Sequence, residues 1–326
     1  MIKLYPLKFQ PVLKEKVWGG NRLASLYGKD SGKMPNCGES WELGAFGSHD
    51  SVVSNGFLEG NTLSELLEVY MGDLTGDKIF ENFGTEFPLL IKFIDTDDVL
   101  SLQVHPDDEL AWKRHKSNGK SEMWYIVDAR PDSLIYAGFN SQVSKETVLQ
   151  HINHNTLQDL LLADRVKPGD VFNIPSGKVH AIGSGIVLCE IQQASDITYR
   201  LYDWNRMGSD GNPRELHVEP ALDAIDYSQT EEFTTSYQPK NNAPVTLVSG
   251  KHFTTNVVTI DKRYEADYYS LDSFVVLVCI DGAFTLRYPG GTESVKKGEV
   301  VLLPAEIKQF SFDPSEPSKI LETYIQ

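Results

Sequence analysis

Gln103, His105, Glu122 and His180 are residue types that together can hold one divalent cation. Gln103 and His105 sit in Ser101-Leu102-Gln103-Val104-His105-Pro106-Asp107. Residues two apart on a strand point the same way, so both project from one face, with Leu102 and Val104 on the other. Glu122 opens the apolar run Met123-Trp124-Tyr125-Ile126-Val127, and His180 closes a segment that starts at Gly169-Asp170. Two imidazoles, a carboxylate and an amide oxygen suit zinc or a similar borderline metal, one per chain, with room left for water or substrate. A closed structural zinc site would draw on thiolates, and no cysteine lies near these four in the sequence. One carboxylate among three neutral ligands leaves such a site a net positive charge, which suits stabilising an oxyanion.

Strands must position these side chains. Residues 1–56 read as short apolar runs and turns, including Gly38-Glu39-Ser40-Trp41-Glu42. Asn61 to Tyr70 reads as a helix that Thr62 caps and Glu65 completes as a capping box. Pro88 to Ile94 is a buried-looking strand with Lys92 in its middle. An ammonium buried there needs an anionic partner, and Asp95 is the nearest acid along the chain. The apolar spacing from Ser144 to Ala163 predicts a helix, strands return from Val166 to about Ile197, and residues 205–244 read as a polar linker. Val245 to Gln326 alternates short strands and turns.

A repeat runs through the chain. Gly169-Asp170-Val171-Phe172-Asn173-Ile174-Pro175 recurs as Gly298-Glu299-Val300-Val301-Leu302-Leu303-Pro304. In that register His180 corresponds to Gln309 and Glu122 to Val275, so the second copy keeps the strands and lacks the ligands. The simplest fold is two β-sandwich or jelly-roll units, one with a metal and one without.

The totals narrow the function. The chain has 326 residues and a net charge of -16, which repels nucleic acid and anionic membranes. A phosphorylated ligand would then need a local cluster of Lys or Arg. The three cysteines, Cys37, Cys189 and Cys279, are odd in number and far apart, which fits a reducing compartment. With no signal-like apolar stretch at the start and no run long enough to span a bilayer, the expectation is a cytoplasmic protein. Oligomeric state stays open.

Gln103-Val104-His105-Pro106-Asp107, Lys120-Ser121-Glu122-Met123, Gly169-Asp170 to His180, and Ser195-Asp196-Ile197-Thr198-Tyr199-Arg200 together resemble the zinc-dependent type I mannose-6-phosphate isomerases of the cupin superfamily. Gly38 to Glu42 and the short length look like the compact bacterial branch. The resemblance covers most of the chain and is weakest after about residue 205. It implies a mainly β fold of two cupin-like jelly-roll domains, with a few helices inserted in the first. Residues 1–235 would form the catalytic metal-binding domain, and 245–326 a cupin-like domain without ligands. It further implies interconversion of mannose 6-phosphate and fructose 6-phosphate through a cis-enediol, with Zn2+ as cofactor and a small sugar phosphate as partner.

By that resemblance Lys92 and Ser101 hold the phosphate and Arg200 is the catalytic arginine. Asp196 would orient Arg200 or act as a base. Lys120, on the same side of an extended chain as Glu122, suits ring opening or proton transfer. Among Glu190, Asp196 and Lys120 the sequence does not choose the base. Some relatives carry a histidine just before this lysine; Gly119 stands there, so that role does not transfer. Two other classes share these residues. If Gln103 is not a ligand, two His and a carboxylate also suit an iron-dependent cupin dioxygenase. A non-catalytic sugar-phosphate binding protein is the other.

Overall fold

A computed structural model describes residues 3–30, 32, 34–208, 211–228 and 233–326. The chain is mainly β and forms three antiparallel sheets. In the first, the strands run Val171–Ile174, Glu122–Ala129, Ile186–Gln193, Phe87–Asp95, Cys37–Phe46, Val12–Glu15. The second runs Tyr199–Tyr202, Leu102–Val104, His180–Ile182, Leu134–Phe139, Leu161–Arg165. These two sheets close over one apolar cluster and form the first β unit.

Strand alternation explains what the barrel contains. On Ile186–Gln193, Ile186 and Leu188 belong to the barrel cluster, while Val187, Cys189 and Ile191 belong to a larger cluster behind the sheet. Glu190 and Gln192 therefore continue the inner face. The same parity puts Lys92 with Ile94, and Glu122 with Trp124 and Ile126. The interior is thus apolar at one end and carries Lys92, Glu122, Glu190 and Gln192 at the other. The outer face packs against Leu7, Phe274, Val276, Val278 and Leu302, so every residue of Phe87–Asp95 and of Ile186–Gln193 is buried. A strand covered on both faces reads as an unbroken apolar run, and here the inward polar residues interrupt it.

The third sheet contains the long strands Val275–Tyr288 and Gln309–Tyr324 with Thr254–Ile260, Pro244–Ser249, Val300–Leu303, Tyr264–Asp267 and Gly291–Lys296. Register shifts between Cys279 and Phe284 bend the first of these, so one strand serves both walls of the C-terminal unit. The sheet takes one strand, Leu7–Lys8, from the start of the chain.

The repeat holds in three dimensions. Ile174 pairs with Glu122, and Leu303 pairs with Val275; Val171 pairs with Tyr125, and Val300 with Val278. His180 and Gln309 each open a strand.

Thr62 caps Leu63–Tyr70 and Glu65 completes the box, as the sequence predicts. The helix expected over 144–163 is real only for Lys145–Asn153, capped by Ser144. Asn155 adopts φ 57, a 3-10 turn follows at Leu157–Leu160, and Leu161–Arg165 becomes a strand against Leu134–Phe139. Leu157, Leu160 and Leu161 still join Val148 and Ile152 in one core, so the apolar spacing reported burial and not a continuous helix. The expected linker at 205–244 contains the helix Val218–Ala224, with Ala221 and Leu222 buried, and Thr234 bridges to Phe172. It wraps the first unit. Cys37, Cys189 and Cys279 are buried and free. No helix among the described residues is long and apolar enough to cross a membrane.

Candidate metal centre and substrate pocket

Short cross-strand rows build the site. Arg200, Gln103 and His180 stand side by side on three adjacent strands. On the facing sheet, Trp41, Lys92, Glu190 and Trp124 form a second row. Glu122 neighbours Gln192.

His105, Glu122 and His180 are buried, with one donor atom of each within 4.8 Å of the others. Nε2 of each imidazole lies 3.5 Å from a Glu122 oxygen. Both Nδ1 atoms face backbone carbonyls, His105 that of Ile197 at 2.9 Å and His180 that of Lys178 at 2.8 Å. With the proton on Nδ1, each Nε2 lone pair points into the cluster. Burial, with Lys120 next to them, pushes His105 well below its ordinary value and His180 down to about 3, so both are neutral. Burial followed by the nearby Glu190 carboxylate pushes Glu122 up to about 7, against the pull of Lys120 and Lys92. Glu122 Oε1 is buried without a hydrogen-bond partner, and Oε2 has only the Lys120 ammonium at 3.3 Å. Two neutral imidazole donors and an unsatisfied carboxylate converging on one point fit a divalent cation.

Gln103 is beside the cluster in a different sense. Its Nε2 lies 3.3 Å from His180 Nε2, while its Oε1 accepts from Ser101 Oγ at 3.3 Å. As a ligand it needs its amide turned over, which would bring Oε1 to His180 and Nε2 to Ser101.

Lys120 is buried, with Nζ 3.3 Å from both His105 Nε2 and Glu122 Oε2. The turn before it is held by Gly119 N–H donating to Asp108 and Lys120 N–H donating to Pro106 O. A Cβ on Gly119 would lie 2.6 Å from the backbone of Asp107 and Asp108. The loop that delivers Lys120 thus leaves no space for the histidine some relatives place there.

Lys92 does have an anionic partner, and it is Glu190 at 2.5 Å rather than Asp95. Asp95 binds Arg22 instead. Trp124 Nε1 also donates to Glu190 at 2.9 Å. Glu190 is lowered, because Lys92 and Lys120 outweigh its burial. Arg200 Nη1 donates to the Glu215 carbonyl at 2.8 Å, and its Nε is buried without a partner. Asp196 is exposed, and among the described residues no ion pair joins it to Arg200.

A cavity of about 330 Å³ borders this cluster, with Gln103 and Lys120 standing between it and the buried His105, Glu122 and His180. Its lining includes Ser101, Gln103 and five cations, Lys16, Lys92, Lys120, Arg200 and Arg214, against the carboxylates Glu39, Glu190 and Asp196. The local excess of cations that the acidic total demands is present. Lys16, Glu39 and Arg214 escaped the sequence reading. Glu39 accepts from Trp41 Nε1 at 2.8 Å and from Lys16 Nζ at 3.2 Å. Burial would raise it, yet Lys92 and Lys16 bring it down to about 2. Its signal was available: Glu39 and Trp41 share a strand face in the Gly38–Glu42 motif. Lys16 and Arg214 lie outside the regular strands and left no periodic trace.

Residues 6–147 match the model of the phosphomannose isomerase type I catalytic domain, and residues 244–315 that of the mannose-6-phosphate isomerase cupin domain. A mannose-6-phosphate isomerase of Bacillus subtilis is 37% identical over 316 residues, covering 94% of this chain and 96% of that protein. One from Streptococcus mutans is 35% identical over 94% of this chain and 95% of its own. The crystal structure of a Bacillus subtilis mannose 6-phosphate isomerase superposes with a TM-score of 0.88 at 33% identity, covering 98% of this chain and 99% of that one.

Proposed function

The chain belongs to the type I mannose-6-phosphate isomerases, and from that premise we propose that its cation-lined cavity interconverts mannose 6-phosphate and fructose 6-phosphate through a cis-enediol. The observation that supports this reading is the convergence of His105, Glu122 and His180 beside Lys120 and Gln103, which line a cavity with four more cations.

His105, Glu122 and His180, with Gln103 turned over, would hold zinc. A zinc ion there supplies a Lewis acid for the sugar's O1 and O2. The protein's own groups do the rest. In the forward direction the C2 proton leaves and returns at C1, while the hydroxyl proton passes from O2 to O1. Lys120 is the titratable cation nearest the cluster and suits opening the ring and moving the oxygen-bound proton. Glu190 is an ionised carboxylate on the cavity wall and suits the carbon-bound proton. Asp196, also on the cavity wall, is exposed to solvent. Arg200, next to Gln103, can donate paired N–H groups to a developing oxyanion. Ser101 and Lys92 would grip the phosphate. Lys16 and Arg214 line the same cavity and would add positive charge to the grip, although each, like Lys92, already faces a carboxylate.

In this reading residues 1–235 carry catalysis and 245–326 pack behind the barrel, with cytoplasmic metabolites as substrates. The test is turnover of mannose 6-phosphate by purified protein before and after metal removal and again after zinc reloading. Activity that survives stripping, or fails to return with zinc while the fold is intact, overturns it.

A further inference from the structure

A second cavity, about 590 Å³, opens in the C-terminal unit at the place the repeat assigns to the first, with the helix Asp77–Phe83 forming part of its wall. The registers give the correspondence residue by residue. Glu190 lies opposite Trp124 and Lys92, and Glu322 lies opposite Leu277 and Asn256. Gln103 lies opposite His180, and Asp267 opposite Gln309. Asn256 therefore stands where Lys92 stands, Asp267 where Gln103 does, and Glu322 where Glu190 does. Two residues further along the strand, Tyr324 takes the place of Gln192. All four line the second cavity, as their counterparts line the first.

What changed is as informative as what stayed. The ligand positions hold Asp267, Tyr269, Val275 and Gln309, so there is no imidazole to bind a metal. Lys92 has become Asn256, and the one cation on the wall is Lys78, against Asp267, Asp272 and Glu322. A phosphate is disfavoured there. Glu322 is 4% exposed and held in place: it accepts from Tyr268 Oη at 2.5 Å and from Asn256 Nδ2 at 2.9 Å. Asn256 Oδ1 in turn accepts from Thr246 Oγ1 at 2.9 Å. A carboxylate has about four acceptor positions, so this one keeps capacity for hydroxyl donors after two bonds. Tyr264, Tyr268 and Tyr324 give the wall its aromatic area.

A fixed acceptor and tyrosine walls match a hexose, whose hydroxyls donate and whose C–H face rests on rings, and the surplus of negative charge turns away a phosphorylated one. We propose that the C-terminal unit holds a non-catalytic binding site for an uncharged hexose. None of this depends on the reaction proposed for the first pocket.

The experiment is calorimetric titration of D-mannose into intact, zinc-loaded protein whose first pocket is filled with pre-equilibrated, saturating sugar phosphate. Saturable binding at one site per chain is expected. Tyr264→Ala and Glu322→Gln should each weaken it roughly tenfold, the size expected for a lost aromatic contact or charged acceptor. Turnover of mannose 6-phosphate should stay within about twofold of wild type. Tyr264 is partly exposed and Glu322→Gln keeps the side chain's shape, so both variants should show wild-type circular dichroism. Absence of saturable heat, or equal affinity in wild type and both variants, overturns the site. Tighter binding of glucosamine than of mannose overturns the uncharged ligand.

Discussion

Replacing Glu39 by Gln keeps the side chain's shape and its hydrogen bond from Trp41, and removes only the charge that faces Lys16 and Lys92. The gap between about 2 and the ordinary 4.5 corresponds to about 3 kcal/mol of preference for the ionised form in the folded protein. The loss on substitution should be smaller. Lys92 keeps Glu190, and Lys16 is 32% exposed, so water relieves part of its unpaired charge. About 2 kcal/mol is expected at pH 7. The sign follows from the direction of the shift. A carboxylate depressed on folding contributes stability that is complete above 4.5 and is lost as the pH falls toward about 2. The difference between wild type and variant should therefore be flat from pH 7 to about 5.5 and shrink by more than half by pH 3. Urea unfolding of both metal-stripped proteins at each pH measures it, because ligand protonation is common to the two and cancels. A difference below about 0.5 kcal/mol at pH 7, or one independent of pH, refutes the claim that Lys16 and Lys92 hold Glu39 ionised.

Three further outcomes are expected. His105→Ala combined with His180→Ala should reduce bound zinc from one per chain to near zero by elemental analysis and abolish turnover; a double variant with full metal and full rate removes the cluster from the mechanism. Arg200→Ala should lower kcat by a factor on the order of 10² or more, as for loss of a preorganised charge stabiliser, and a near-normal kcat removes Arg200 from catalysis. Gly119→Ala should cost about 1–3 kcal/mol in thermal unfolding, since its Cβ would meet the Asp107–Asp108 backbone, and should lower activity by displacing Lys120; a variant as stable and active as wild type shows that the turn can shift freely.

That His105, Glu122 and His180 would come together, with Gln103 beside them, was legible because alternation on short strands is a local property. Gln103 and His105 announce a shared face within a few residues, and Glu122 and His180 each border an apolar run. The partner of Lys92 was not legible. Burial demanded an anion, yet Glu190 meets Lys92 across two strands nearly a hundred residues apart, and the nearer Asp95 points to Arg22. Apolar spacing also misled at 144–163, where a turn and a strand edge satisfy the same burial as a helix would. Arg214 sits in an irregular segment and reaches the cavity wall while gripping Asp203, a contact with no sequence period behind it.

The shared register explains how one unit lacks the ligands and keeps the fold. The apolar end of the first barrel contains Ile94, Ile126 and Leu188. The registers place Val258, Cys279 and Ile320 at the same positions in the second, and all three belong to its core. That half carries the burial that holds the sheets together, so it stays apolar in both copies. The other half is a mouth. There Lys92 and Asn256, Glu122 and Val275, Trp124 and Leu277 differ in charge and size, while Glu190 and Glu322 alone keep one chemistry. A buried carboxylate needs donors wherever it sits, and each copy supplies its own: Lys92 and Trp124 in one, Tyr268 and Asn256 in the other. The fold therefore constrains where an inward polar group can stand, and the residues that surround it decide whether that mouth holds a metal and an anion or neither.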